Sequence, residues 1–168
     1  ALMHSEGAGG QVVWSLVDDD WCIDAPRLSV VQDILAQANA RGDLSIHVSI
    51  RLGGMIVFAA DEPGLKWLMD VLPKEDRFPM RLSQHAAFHS EIVAPLIAQA
   101  QAKNAPDNFG TSSVALVDGT GRVWNPSAFS RDALYEYTLG TQISQTYDFT
   151  RAVQVAAAEF APDVIFCL

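Results

Sequence analysis

Hydrophobic residues alternate with polar ones near the start of the chain and then recur every three to four positions. That change of period marks the first two elements. From Gln11 to Val17, Val12, Trp14 and Leu16 fall on one face and Val13, Ser15 and Val17 on the other, the period of a β-strand. Leu28, Val31, Leu35 and Ala38 follow at spacings of 3, 4 and 3, one apolar stripe of a helix. Asp24 stands at its N-cap, Pro26 lies in the first turn, where a missing N–H costs little, and Gly42 ends it. Leu44 to Arg51 and Met55 to Ala60 read as two strands joined by the tight turn Leu52-Gly53-Gly54. A second helix is predicted from about Glu62 to Leu72, with Leu65, Leu68, Met69 and Leu72 facing inward and Pro73 ending it. A fourth strand occupies roughly Phe78 to Ser83.

Strand, helix, strand, strand, helix, strand is the order of a ferredoxin-like βαββαβ unit, with both helices on one face of an antiparallel sheet. The expected fold class is therefore α/β (α+β), with residues 1–84 as a ferredoxin-like small subdomain. That fold hosts many unrelated functions and names none.

The pattern changes after Ser90. Ile92, Val93, Leu96, Ile97 and Ala100 form a helical stripe, which Asn104-Ala105-Pro106-Asp107-Asn108 breaks. Val114 to Val117 is a short apolar strand ending at Asp118-Gly119-Thr120-Gly121, and Arg122-Val123-Trp124 is a brief return. Ser130 caps a predicted helix over Arg131 to Leu139, and Asp148 caps another carrying Phe149, Val153, Ala156 and Phe160 at spacings of 4, 3 and 4. Val164 to Leu168 reads as a buried-type strand. Two strands and three helices do not close a parallel layer by themselves. Residues 85–168 are thus expected to be the back end of a larger α/β layer.

Composition narrows the class of function. The 168 residues are 49% hydrophobic, with no apolar run near the ~20 residues that cross a bilayer. Eleven basic residues against 20 acidic ones leave a net charge of -9, which argues against a nucleic-acid partner. RNA binding on the sheet face also lacks paired stacking aromatics on adjacent strands. Cys22 and Cys167 lie far apart without metal-ligand spacing, so a reduced, cytoplasmic setting is the default and no metal is implied. The carboxylates of Asp18, Asp19 and Asp20 cannot all converge on one ion and read as an acidic turn. His4 to Gly10 lacks the Gly-Lys-Ser/Thr of a phosphate loop and reads as a flexible turn. The chain starts at Ala1 rather than Met, as expected of a fragment or processed product.

The chemistry concentrates in Gln84-His85-Ala86-Ala87-Phe88-His89-Ser90-Glu91-Ile92-Val93-Ala94-Pro95, a strand-to-helix junction carrying His89. Phe88-His89-Ser90, with a proline and a helix after it, resembles the histidine motif of malonyl-CoA:acyl carrier protein transacylases. The resemblance extends to Gly54-Met55-Ile56-Val57-Phe58-Ala59, to Tyr147-Asp148-Phe149-Thr150-Arg151-Ala152-Val153 and to Val164-Ile165-Phe166-Cys167-Leu168. Four motifs in order are more specific than any one of them. The family's fold places a ferredoxin-like insert within an α/β-hydrolase-like acyltransferase domain, so the expectation for this chain is the insert followed by an incomplete part of that domain.

The resemblance implies a Ser/His ping-pong transfer of a malonyl or related short acyl group from coenzyme A to acyl carrier protein, as in fatty acid biosynthesis. His89 matches the general base. Its orienter in the family is a backbone carbonyl from the segment matching Tyr147 to Thr150, which puts Asp148 forward as orienter or merely as a helix cap; local sequence favours the cap. Ser49 and Arg51 stand where the family often carries an asparagine pair near the acyl site, making them candidate substrate-binding residues, and Arg51 reads equally as a solvated strand residue. Ser90 is expected to be a helix N-cap rather than the nucleophile, and His85 a surface or supporting residue. Lys66, Lys74, Arg77 and Arg81 are candidate carrier-docking positions.

No G-x-S-x-G occurs in this sequence. The resemblance implies that the nucleophile lies before Ala1, and the chain as given is expected to be inactive, with malonyl-CoA a substrate and no cofactor required. The rival reading is a stand-alone ferredoxin-like binding or regulatory module without catalysis.

Overall fold

The computed structural model describes residues 8–128 and 130–166. Cys167, Leu168 and the start of the His4 to Gly10 turn lie outside them. A five-stranded sheet in the order β4-β1-β3-β2-β7 organises the molecule. Its strands are β1 (Gly10–Ser15), β2 (Ile46–Arg51), β3 (Met55–Ala60), β4 (Met80–Arg81) and β7 (Tyr147–Asp148). β1 runs antiparallel to both β3 and β4, and β2 runs antiparallel to β3. β7 joins the edge parallel to β2, pairing Ile50 with Tyr147 and Arg51 with Asp148.

The alternation in β1 and β3 decides what each face of the sheet carries. Val12, Trp14, Leu16, Ile56, Phe58 and Ala60 bury on one face, against helices α1 (Ala25–Arg41) and α2 (Glu62–Val71). Those helices contribute Val31, Ile34, Ala38, Leu65 and Leu68, and Leu72 follows directly. The stripe on α1 is rotated from the expected one, because Ile34 is buried while Leu28 remains 40% exposed. Gly42 ends α1 in the left-handed conformation, φ 69°, its N–H on the Ala38 carbonyl. Asp61 rather than Glu62 caps α2, its carboxylate accepting from Gly64 N–H at 2.9 Å. Asp24 sits at the N-cap position of α1 but makes no cap bond; its carboxylate goes to Arg27 at 3.2 Å instead.

The opposite face is covered by the segment after β4. Ala59 packs there with Ala86, Ala87, Val93 and Leu96. The segment continues as a 3₁₀ turn (Glu91–Leu96) into helix α3 (Ile97–Lys103). Pro95 lies inside the 3₁₀ turn and cannot donate to a regular α ladder there. This sheet face is not wholly apolar: Gln11 is 2% exposed and Ser49 is fully buried.

Past α3, a hairpin of β5 (Leu116–Val117) and β6 (Val123–Trp124) precedes one winding helix. It runs as α4 (Arg131–Glu136), a wide π turn (Tyr137–Thr141) and α5 (Gln142–Ser144). Ser130 caps it, accepting from Ala133 N–H at 3.3 Å. Helix α6 (Phe149–Phe160) follows β7. Its predicted stripe is open rather than buried, with Phe149 47%, Val153 41% and Phe160 49% exposed. The expected strand at the end of the chain is not formed over 164–166; Val164, Ile165 and Phe166 have no strand partner and stay exposed. A lone strand cannot satisfy its own N–H and C=O groups, so a hydrophobic run makes one only beside a neighbour. Among the described residues, no helix is long and apolar enough to cross a membrane.

Candidate active site

His89 lies in a loop held by bonds within itself and to the segment just before β1. Ala87 N–H donates to the Ala8 carbonyl at 2.9 Å, Phe88 N–H to the Ala86 carbonyl at 2.8 Å, and the Ser90 hydroxyl to the Ala87 carbonyl at 2.6 Å. Ser90 thus stands at the N-cap position expected of it, but its hydroxyl points back into the loop and makes no cap bond. His89 itself has φ 55°, a left-handed conformation that is uncommon outside glycine and is held here by the bonds around it.

The imidazole is half-buried, and Nδ1 lies 2.5 Å from the backbone carbonyl of Gln142. A carbonyl only accepts, so Nδ1 carries the proton and Nε2 keeps a lone pair. The carbonyl is free for a local reason. Gln142 is in the last turn of the helix ending at Ser144, where carbonyls lack an intrahelical donor. The π turn just before it, where Gln142 N–H reaches the Tyr137 carbonyl, sets the rotation at which that last turn arrives. Nε2 has no hydrogen-bond partner among the described residues, and His89 lines a cleft with His47, Val48, Glu91, Ser144, Gln145 and Thr146. A neutral, oriented imidazole of this kind accepts a proton from a hydroxyl or thiol brought to it.

Burial holds the His89 pKa below the ordinary 6.5, and the Gln142 carbonyl offsets only part of that. The unfolded chain therefore takes up a proton at a higher pH than the folded one. Stability should fall as pH drops through 6.5 and stop falling once the folded imidazole is itself protonated. An NMR titration of the His89 ring checks this: a midpoint at or above 6.5 contradicts it.

Tyr147 flanks His89 with ring centroids 5.5 Å apart. Burial, with the nearby Asp118 carboxylate, raises the pKa of Tyr147, so its phenol is neutral at physiological pH. The Tyr147 ring rests on Gly119, where a Cβ would come within 2.4 Å of it. Asp118 ties the hairpin together from a buried position. Its Oδ1 accepts from Thr120 N–H at 2.8 Å, the Thr120 hydroxyl at 2.6 Å and Arg122 N–H at 3.1 Å, and its Oδ2 accepts from Trp124 Nε1–H at 2.8 Å. Gly119 N–H donates to the Tyr137 hydroxyl at 3.0 Å, and burial pushes that phenol's pKa up to about 12.

The residues proposed from sequence are divided by the structure. His89 is in the cleft. Asp148 directs its carboxylate elsewhere, accepting from Arg151 N–H at 2.8 Å as the cap of α6 and facing Arg51 at 3.7 Å. Asp148→Ala is expected to cost about 1 kcal/mol through the lost cap and to leave the His89 titration unchanged; a shifted titration would make Asp148 an orienter after all. Arg51 lines a separate hollow with Leu16, Ile23, Met55 and Asp148. Ser49 is buried beneath the loop and does not line the cleft. Of the basic positions, Arg81 is engaged by Glu62 through two bonds of 2.8 Å, while Lys66, Lys74 and Arg77 are exposed. Asp18 accepts from Asp20 N–H at 3.0 Å and Cys22 N–H at 2.9 Å, a local acidic turn. Among the described residues, no three ligating side chains converge as a metal site.

Sequence reasoning missed Gln142, Tyr147, Asp118 and Gln11. The last three had signals: Asp118 opens a D-G-T-G turn, Tyr147 lies in the motif around Asp148, and Gln11 is a polar residue inside an apolar strand. Gln142 had none, since its contribution is a main-chain carbonyl that every residue possesses.

No protein-family profile matches this sequence, and no curated protein matches it. Solved structures do. The chain is similar to an acyl-carrier-protein S-malonyltransferase from Burkholderia pseudomallei 1710b, at 18% identity and TM-score 0.69, over 94% of this chain and 48% of that one. It is similar to the malonyl-CoA:ACP transacylase of Synechocystis sp. PCC 6803, at 16% identity and TM-score 0.64, over 93% and 47%. It is also similar to the malonyl-CoA:acyl carrier protein transacylase of Xanthomonas oryzae pv. oryzae, at 18% identity and TM-score 0.63, over 94% and 46%. The resemblance read from the motifs thus holds at the level of fold, and the chain spans about half the length of the solved chains it matches.

Proposed function

We propose that this chain is the C-terminal portion of an acyltransferase that moves a malonyl or related short acyl group from coenzyme A to acyl carrier protein. The observation that carries the reading is the His89 imidazole, with Nδ1–H on the Gln142 carbonyl and Nε2 unpartnered, in a fold shared with malonyl-CoA:acyl carrier protein transacylases. The nucleophilic serine lies upstream, in the part of the parent that this chain does not contain. Residues 1–84 form a ferredoxin-like subdomain, supported by the antiparallel order β4-β1-β3-β2 with α1 and α2 on one face, and residues 85–168 belong to the catalytic subdomain. The setting is cytoplasmic, and without the upstream serine the chain as given is inactive.

The chemistry balances through one imidazole. Nε2 takes the serine proton as the hydroxyl oxygen attacks the thioester carbonyl, and the imidazolium returns that proton to the departing CoA thiolate. The acyl group is left on serine as an ester. In the second half, Nε2 takes the proton of the carrier's thiol, the thiolate attacks the ester, and the serine oxygen regains a proton. A histidine held neutral near physiological pH suits both directions.

Intact-mass measurement of the full-length gene product after incubation with malonyl-CoA tests the reading. A malonyl-sized adduct that is discharged on adding acyl carrier protein supports it. No adduct with malonyl-CoA or other short acyl-CoAs would sink it and leave a non-catalytic ferredoxin-like binding module.

A further inference from the structure

The loop that presents His89 rests on a buried polar chain whose every link has a fixed direction. The Phe88 carbonyl can only accept, so the Ser49 hydroxyl, 2.7 Å away, donates to it. The same oxygen accepts from the Gln11 side-chain amide at 2.7 Å. That leaves Gln11 Oε1 facing His85 Nδ1 at 2.9 Å, and His85 donates there. Ser49 is fully buried and Gln11 is 2% exposed, so neither exchanges these partners for water.

The backbone explains why a serine can reach Phe88. The register between β2 and β3 shifts at Ser49: Val48 pairs with Phe58 and Ile50 with Val57, leaving Ser49 as the extra residue of a bulge. A bulge re-aims one side chain without breaking the sheet, and here the re-aimed hydroxyl holds the peptide directly before His89. We propose that Ser49, held in turn by Gln11, is the positioning residue that fixes the Phe88–His89 peptide and so aims the His89 imidazole at the Gln142 carbonyl. The inference rests on the proposed role of His89 for its functional weight.

Three consequences follow from the geometry. Without the Ser49 hydroxyl the Phe88 peptide loses the bond that sets its plane, and the strained φ of 55° at His89 relaxes. The imidazole then leaves the Gln142 carbonyl, and its single Nδ1–H tautomer becomes a mixture. The exposed end of the chain, at His85, keeps the same direction, because the Gln11 amide oxygen only accepts and so selects the form of the imidazole that carries a proton on Nδ1. The other titratable groups around the His89 ring are His47 and Glu91 in the cleft and Tyr147 against its face.

The test is ¹⁵N and ¹H NMR of the histidine side chains in the wild-type protein and in Ser49→Ala and Ser49→Thr. The wild type should show one His89 tautomer with a slowly exchanging, hydrogen-bonded Nδ1–H. Ser49→Ala should lose that resonance and give the averaged nitrogen shifts of a mixture. Ser49→Thr, which keeps the hydroxyl on a strand that suits a β-branched residue, should restore it. A folded Ser49→Ala protein with unchanged His89 signals overturns the proposal. If Ser49→Ala does not fold, Gln11→Met carries the test: it frees the Ser49 hydroxyl to rotate and should speed exchange of the Nδ1–H, and an unchanged signal again overturns the proposal. In an active parent, Ser49→Ala should lower kcat by about 10–100-fold with KM little changed, as expected for a misplaced base. The NMR readout needs no acyl substrate, so failure of the acyl-transfer reading and failure of the positioning role are separate results.

Discussion

Replacing His89 by alanine in the full-length parent is expected, on the proposed acyl-transfer reading, to lower the rate of transfer by about 10²–10⁴-fold, the range over which a positioned general base acts. The two ring nitrogens have separate tasks. Nδ1 is committed to the Gln142 carbonyl, which holds the proton there and leaves Nε2 as the basic site. Nothing else among the described residues offers the same combination: His47 shares its Nε2 with the Ser45 hydroxyl at 3.1 Å, and His85 is exposed on the far side of the Gln11 amide. Acyl-adduct formation followed by intact mass, and transfer to the carrier followed by rate, should both fall in His89→Ala. An adduct that forms at the wild-type rate would remove His89 as the base and leave the acyl-transfer proposal standing. Gln142→Ala provides the contrast. The main-chain carbonyl survives that substitution, so the rate should stay near that of wild type, whereas a side-chain role for Gln142 would appear as a loss comparable to that of a positioning residue.

Asp118→Ala should destabilise the fold by about 1–3 kcal/mol. The carboxylate serves four donors, and the one that lies deepest, Trp124 Nε1–H, loses its acceptor with no water to replace it. The donors on the exposed Thr120 and Arg122 recover hydrogen bonds from solvent and contribute little to the loss. Asp118→Asn separates the two halves. Its amide oxygen can still serve the backbone N–H groups, but its NH₂ then faces the Trp124 donor, so roughly 1–2 kcal/mol should still be lost. Urea denaturation followed by tryptophan fluorescence measures both. A loss under about 0.5 kcal/mol for alanine, the size of an ordinary surface substitution, would mean that the hairpin does not depend on this carboxylate. The effect should reach the cleft as well, because Gly119, fixed in that hairpin, supports the Tyr147 ring beside His89.

Most of the first half of the chain was legible because its signals are local and agree with one another. The period in β1, the Pro26 and Gly42 boundaries of α1 and the Gly53 turn each carry their own physical reason, and the structure places those elements within a few residues of the reading. The second half was less legible. Phe149, Val153 and Phe160 have the spacing of a buried stripe, but spacing says which residues share a face and not whether anything covers it. The run from Val164 has the composition of a core strand, and composition cannot supply the neighbour that a strand needs.

The cleft divides in the same way. Sequence by itself determined that a histidine stands at a junction after the fourth strand, in a motif resembling that of an acyltransferase family, and that Asp148 caps a helix, because caps and turns are contacts between near neighbours. Tertiary structure alone decided which acceptor fixes the His89 tautomer, that Ser49 lies beneath the loop, and that Gln11 completes its hydrogen bonding. These contacts join residues 38 to 74 positions apart. Two of them end on a main-chain carbonyl, and one of these also depends on a bulge that breaks the two-residue period. Neither a backbone acceptor nor a shift of register is written in side-chain identity, so the chain had to fold before either could be seen.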